Sequence, residues 1–68
     1  MFNSEEVFKT LEDKIFSTFE ELDEALNAIR KKYIRQLPPL YGAKQLFEFA
    51  QRKDWIRKTK GGIYFVIA

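Results

Sequence analysis

Trp55-Ile56-Arg57-Lys58-Thr59, then Lys60-Gly61-Gly62, then Ile63-Tyr64-Phe65-Val66-Ile67, is the stretch that decides the fold. Two runs rich in β-branched and aromatic residues flank a Gly-Gly turn, which is the pattern of a β-hairpin. The second run is apolar at every position, so it is expected to be an inner strand covered on both faces. Such a strand needs a neighbour on its free edge. Lys14-Ile15-Phe16-Ser17, a short apolar piece between two helical patterns, is expected to supply it as a third strand.

Upstream the apolar spacing changes from two to the helical 3.6. A first helix is expected over Ser4–Asp13, capped by Asn3, with Val7, Phe8, Leu11 and Ile15 on one face. Ser17-x-x-Glu20 and Thr18-x-x-Glu21 are overlapping capping-box patterns that start a second helix near residue 18. Phe19, Leu22, Leu26, Ile29 and Tyr33 then recur at spacings of three and four, a strongly amphipathic helix of about fifteen residues. Leu37-Pro38-Pro39-Leu40 must end it, because proline lacks an amide proton and pushes the preceding residue out of helical angles. A third helix is expected over Tyr41–Lys53. Ala43, Leu46, Phe47 and Ala50 form its apolar face, while Tyr41, Lys44, Gln45, Glu48, Gln51 and Arg52 gather opposite. The expectation is one α+β domain over residues 1–68 in the order α-β-α-α-β-β, three helices followed by a C-terminal hairpin in a small three-stranded sheet.

Composition narrows the chemistry. The chain has 68 residues, 46% of them hydrophobic and 32% charged, with seven Phe, three Tyr and one Trp. That is a folded composition rather than a disordered one. There is no Cys and no His. A disulfide framework, a thiolate metal site and the usual general base are all excluded. The start, Met1-Phe2-Asn3-Ser4-Glu5-Glu6, is acidic where a signal peptide is basic. The longest apolar run, Ile63–Ala68, falls far below the roughly twenty residues of a membrane span. A cytoplasmic location without membrane contact is therefore expected.

The formal net charge of +2 conceals a division. Residues 1–29 carry eight acids and two bases, net −6, and residues 30–68 carry ten bases and two acids, net +8. The helix dipole accounts for part of this, since Glu20, Glu21, Asp23 and Glu24 open a helix that Arg30, Lys31 and Lys32 close. It does not account for the bases after Pro39, which point to a polyanionic partner. The adjacent acids, such as Glu5-Glu6 and Asp23-Glu24, fall on solvent faces of helices, where nothing raises a pKa for acid–base work. No glycine loop opens a helix to cradle phosphate. A non-enzymatic binding protein without a cofactor is the expectation.

Leu46 through Val66 resembles the end of a winged helix-turn-helix domain, in which a recognition helix runs into a basic, glycine-bearing wing and then an aromatic-rich strand. The resemblance covers about residues 41–67 and extends to the rest by element order. Two features depart from the family: the long second helix and the wide Ile34–Leu40 connection. The resemblance implies binding of double-stranded DNA, as in a transcriptional regulator. Tyr41, Lys44, Gln45, Glu48 and Arg52 would face the bases and nearby backbone, and Arg57, Lys58 and Lys60 the phosphates. Lys31, Lys32 and Arg35 would lie close to the backbone. The alternative is a protein–protein interaction module whose acidic and basic halves meet an acidic protein surface or a second copy. The hairpin bases also have a plain structural reading, as charges that keep an edge strand soluble.

Overall fold

The hairpin and its third strand form the sheet around which the helices assemble. The computed structural model describes residues 2–68. In it the elements are α1 (Ser4–Lys9), β1 (Ile15–Phe16), α2 (Phe19–Lys32), α3 (Ala43–Arg52), β2 (Ile56–Lys58) and β3 (Tyr64–Val66). The class is α+β, with a three-stranded antiparallel sheet in the order β1-β3-β2. Ile15 and Arg57 both stand opposite Phe65, and Phe16 and Lys58 opposite Tyr64. Gly62 closes the hairpin turn at φ +85°, a left-handed angle that glycine alone takes without strain. Its amide donates to the Thr59 carbonyl, and the Ile63 amide donates to Thr59 Oγ1.

The helix starts follow their sequence signals. Asn3 Oδ1 accepts from the Glu6 amide at 3.2 Å and Thr18 Oγ1 from the Glu21 amide at 3.3 Å. The Glu21 carboxylate reaches back to the Ser17 amide at 2.6 Å, one residue before the cap. α1 is shorter than its periodicity suggests. Beyond Lys9 the amides of Leu11, Glu12 and Lys14 bond three residues back instead of four, so the chain winds into turns that deliver it to β1. Ile15 therefore leaves the α1 face and is 72% exposed on the sheet.

Val7, Phe8, Leu11, Phe16, Leu22, Leu26, Ile29, Ala43, Leu46, Ala50 and Val66 form one buried cluster joining all three helices to the sheet. α3 ends in a left-handed cap at Asp54 (φ 64°). There the Trp55 amide donates to the Ala50 carbonyl and the Asp54 amide to that of Gln51. This pairing satisfies two orphan carbonyls and turns Trp55 inward against Phe8 and Phe49. The inner-strand expectation is half met. β3 is central, but the helices cover only the side that carries Phe16, Tyr64 and Val66. On the other side Ile63 and Ile67 remain 38% and 52% exposed.

Leu40, at the end of the Pro-Pro connection, combines φ 64° with 95% exposure. A left-handed angle costs an L-residue roughly 1–2 kcal/mol, and glycine gives back part of the gain through unfolded-state entropy. Leu40→Gly is accordingly expected to raise stability by about 0.5–1 kcal/mol. An upward shift of the urea midpoint tests this. A downward shift would mean that the side chain holds the loop in place.

Candidate nucleic-acid interface

The connection between α2 and α3 is pinned at Gly42. Gln45 Oε1 accepts from the Gly42 amide at 2.8 Å, capping α3 from within its own first turn. Arg30 of α2 folds across the same point, with Nε donating to the Tyr41 carbonyl at 3.2 Å. A Cβ on Gly42 would stand 3.4 Å from Gln45 Oε1 and 3.9 Å from Arg30 Cδ. With Ala43, Leu46 and Ala50 buried, the helix has only one orientation left, and Lys44, Glu48, Gln51 and Arg52 stand exposed on its outer face.

A groove of about 470 Å³ runs beside that face, lined by Phe19, Asp23, Lys44, Phe47, Glu48 and Gln51. Phe19 stacks edge-on against Phe47 at 5.3 Å and against Tyr64 at 5.9 Å. Lys58 Nζ lies 5.6 Å from the Tyr64 ring centroid. A continuous aromatic surface thus connects the outer face of α3 to the hairpin. Phe19, although it begins the apolar stripe of α2, is 44% exposed. It is the first residue of the helix, and the stripe has run past the core there. From sequence Phe19 and Phe47 belong to apolar helix faces and Tyr64 to the inner strand; the packing of α2 against α3 and β3 reveals their shared surface.

The site residues expected from sequence divide into two groups. Lys44, Glu48 and Arg52 share the exposed outer face of α3, and Gln51 from the same helical wheel joins them. Lys58 and Lys60 are exposed on the hairpin and its turn. Gln45 differs from expectation, because its carbonyl oxygen is spent on the cap. The spacing Gly42-x-x-Gln45 is the signal that foretells this role. Tyr41 is half-buried on the other flank of α3, in an apolar cleft with Phe2, Leu37, Pro38, Leu46 and Phe49.

Arg57 and Lys58 do not act as one cluster. Successive strand residues face opposite sides of a sheet, so Lys58 shares the helix side with Tyr64 while Arg57 lies on the open side with Phe65. There Arg57 Nη2 pairs with Asp54 at 3.1 Å. Lys31, Lys32 and Arg35 are exposed at and just beyond the end of α2, with Lys32 Nζ 5.5 Å from the Tyr33 ring.

Electrostatically the groove is mixed. Asp23 and Glu48 line the same walls as Lys44, so the acidic and basic halves of the sequence meet at this surface instead of lying on opposite sides. Among the described residues no group of three acidic side chains converges to hold a metal ion, and no helix is long and apolar enough to cross a membrane. Comparison with protein-family models, characterised proteins and solved structures finds no match to this chain.

Proposed function

We propose that this protein binds double-stranded DNA through the outer face of α3 and the β2–β3 hairpin, in the manner of a small transcriptional regulator. The reading rests on one observation: Lys44, Gln51 and Arg52 stand exposed on the outer face of α3, and the Phe47, Phe19 and Tyr64 rings link that helix to the hairpin that carries Lys58 and Lys60. Lysine and arginine neutralise phosphates and release counterions, which supplies affinity without sequence information. Gln51 is suited to adenine in the major groove, and Glu48 to the cytosine amino group. The exposed edges of Phe19 and Phe47 offer an apolar floor to a thymine methyl group. The helix, strand, helix, helix, hairpin order and the wing-like position of Lys60 support the winged-helix resemblance.

Asp23 and Glu48 oppose phosphate approach. At about 8 Å in water a unit charge is worth about 0.5 kcal/mol. Removing either one, as Asp23→Asn or Glu48→Gln, is expected to tighten binding to a mixed-sequence duplex about twofold at low salt. Fluorescence anisotropy of a labelled duplex measures this. Weaker binding by Glu48→Gln alone would instead make Glu48 a base contact. A second reading draws on the same groove: aromatic walls with charges of both signs also suit a protein segment. Absence of anisotropy change with any duplex at low salt would favour that reading.

A further inference from the structure

Leu40 is held in a conformation from which the fold gains nothing. The Tyr41 amide donates to the Pro38 carbonyl at 3.2 Å, closing a turn with Pro39 and Leu40 at its two corners. The second corner is left-handed, at φ 64°, where glycine or asparagine is the usual residue. Proline at the first corner fixes its own φ and stiffens the turn. Leu40 is nonetheless 95% exposed, so its side chain meets almost none of the chain that holds it. Strain kept at an exposed apolar tip marks a contact surface, since no burial offsets it. Ile34, at the start of the same connection, is 53% exposed, and Pro39 is exposed between them.

The charges at this end of the molecule are mostly positive. Lys31, Lys32 and Arg35 are exposed, and among the described residues none of them pairs with an acid. Between Glu24 and Glu48 the sequence has no acid at all. The connection returns to the end of α2, where Arg30 Nε holds the carbonyl of Tyr41, next to Leu40. The bases and the tip therefore share one end of the molecule. Glu5 and Glu6 of α1 lie toward the same end, Glu6 beside Tyr33, and the four bases of residues 30–35 outnumber them. Glu20, Glu21, Asp23 and Glu24 stand about 20 Å away, at the other end of the fourteen residues of α2.

We infer that the Ile34–Leu40 connection docks on an anionic lipid surface. Leu40 and Ile34 enter the boundary between headgroups and acyl chains, while Lys31, Lys32 and Arg35 meet the anionic headgroups. A bilayer interface offers negative charge and apolar depth side by side, as this tip requires. A nucleic-acid duplex offers the charge, but it admits an apolar wedge only by unstacking a base step. Such contact is superficial and needs no spanning helix. The acids that open α2 are repelled by the same surface, which turns the connection toward it. Neither the outer face of α3 nor the hairpin takes part, so the inference stands apart from the DNA-binding reading.

Co-sedimentation at low salt, with vesicles of phosphatidylcholine alone or mixed equally with phosphatidylserine, tests the inference. Binding is expected to the mixed vesicles only, and to fall as salt is added. Leu40→Gly is expected to weaken it about tenfold. The same change is expected to stabilise the fold, so lost binding cannot come from unfolding. Replacing Lys31, Lys32 and Arg35 together with glutamine is expected to weaken it about a hundredfold. Ile15→Ser removes an exposed isoleucine from the sheet and is expected to leave binding unchanged. No binding to mixed vesicles at millimolar lipid overturns the inference. So does binding that Ile15→Ser, or loss of Lys58 and Lys60, abolishes and Leu40→Gly does not. Leu40→Gly weakening duplex binding while sparing vesicle binding would make the connection a nucleic-acid contact and overturn it equally.

Discussion

Phe8→Ala is expected to leave much of the protein unfolded at room temperature. Phe8 is completely buried, at 0% exposure, and its ring packs against Trp55 at 5.6 Å. α1 has only six residues, far too few to persist alone, so it exists because Val7, Phe8 and Leu11 are anchored in the core. Truncating a buried phenylalanine costs about 3–5 kcal/mol, combining lost transfer energy with a cavity the surroundings only partly fill. A domain of this size has roughly 3–10 kcal/mol in total. The loss therefore removes a third or more of the stability and reaches from α1 to the start of β2 through Trp55. Phe19→Ala serves as the contrast. Its ring is 44% exposed, and its removal is expected to cost no more than about 1–2 kcal/mol. Urea titrations followed by far-UV circular dichroism compare the two. Equal costs would mean that the aromatic surface between α2 and α3 is part of the core after all.

Duplex binding is expected to weaken about fiftyfold when salt is tripled. If Lys44, Arg52, Lys58 and Lys60 each neutralise one phosphate, the log–log slope of affinity against salt is about −3.6, and tripling the salt multiplies Kd by about fifty. Replacing both hairpin lysines with glutamine halves the slope to about −1.8 and cuts the salt effect to about sevenfold. Arg57→Gln, by contrast, is expected to leave the slope unchanged, because Arg57 lies on the open side of the sheet beside Asp54. The slope separates these groups more cleanly than affinity does, since it counts displaced counterions rather than summing every contact. Arg57→Gln reducing the slope as much as Lys58→Gln would place both sides of the hairpin against phosphate.

The architecture was legible where a pattern repeats over several turns or residues. The three- and four-residue spacing of α2 and the Gly-Gly hairpin each appear where local chemistry demands them, although α2 already ends at Lys32, ahead of the prolines, and even the two-residue β1 is foretold by the need of β3 for a second neighbour. Less legible was everything set by how elements pack. Ile15 fits the α1 stripe by spacing, yet the chain leaves the helix at Lys9 and the residue joins the sheet. Phe19 fits the α2 stripe, yet the core ends one turn later at Leu22. An all-apolar strand reads as covered on both sides, but three short helices suffice to cover only one.

Within the candidate site, the exposed positions of α3 followed from its helical wheel. The separation of Arg57 from Lys58 follows from strand alternation once β2 is recognised. The capping role of Gln45 is written in its three-residue spacing from Gly42, whereas the meeting of Asp23 with Lys44 in one groove depends on the angle between α2 and α3, which no local pattern encodes.

An amide-resolved NMR titration with a mixed-sequence duplex at two salt concentrations tests directly whether α3 and the hairpin form a DNA-binding surface. Salt-sensitive shifts are expected at Lys44, Glu48, Gln51, Arg52, Lys58 and Lys60, with the amides of Ile15, Arg57 and Ile67 unmoved. Shifts confined to the open side of the sheet, or no shifts at low salt, would contradict it.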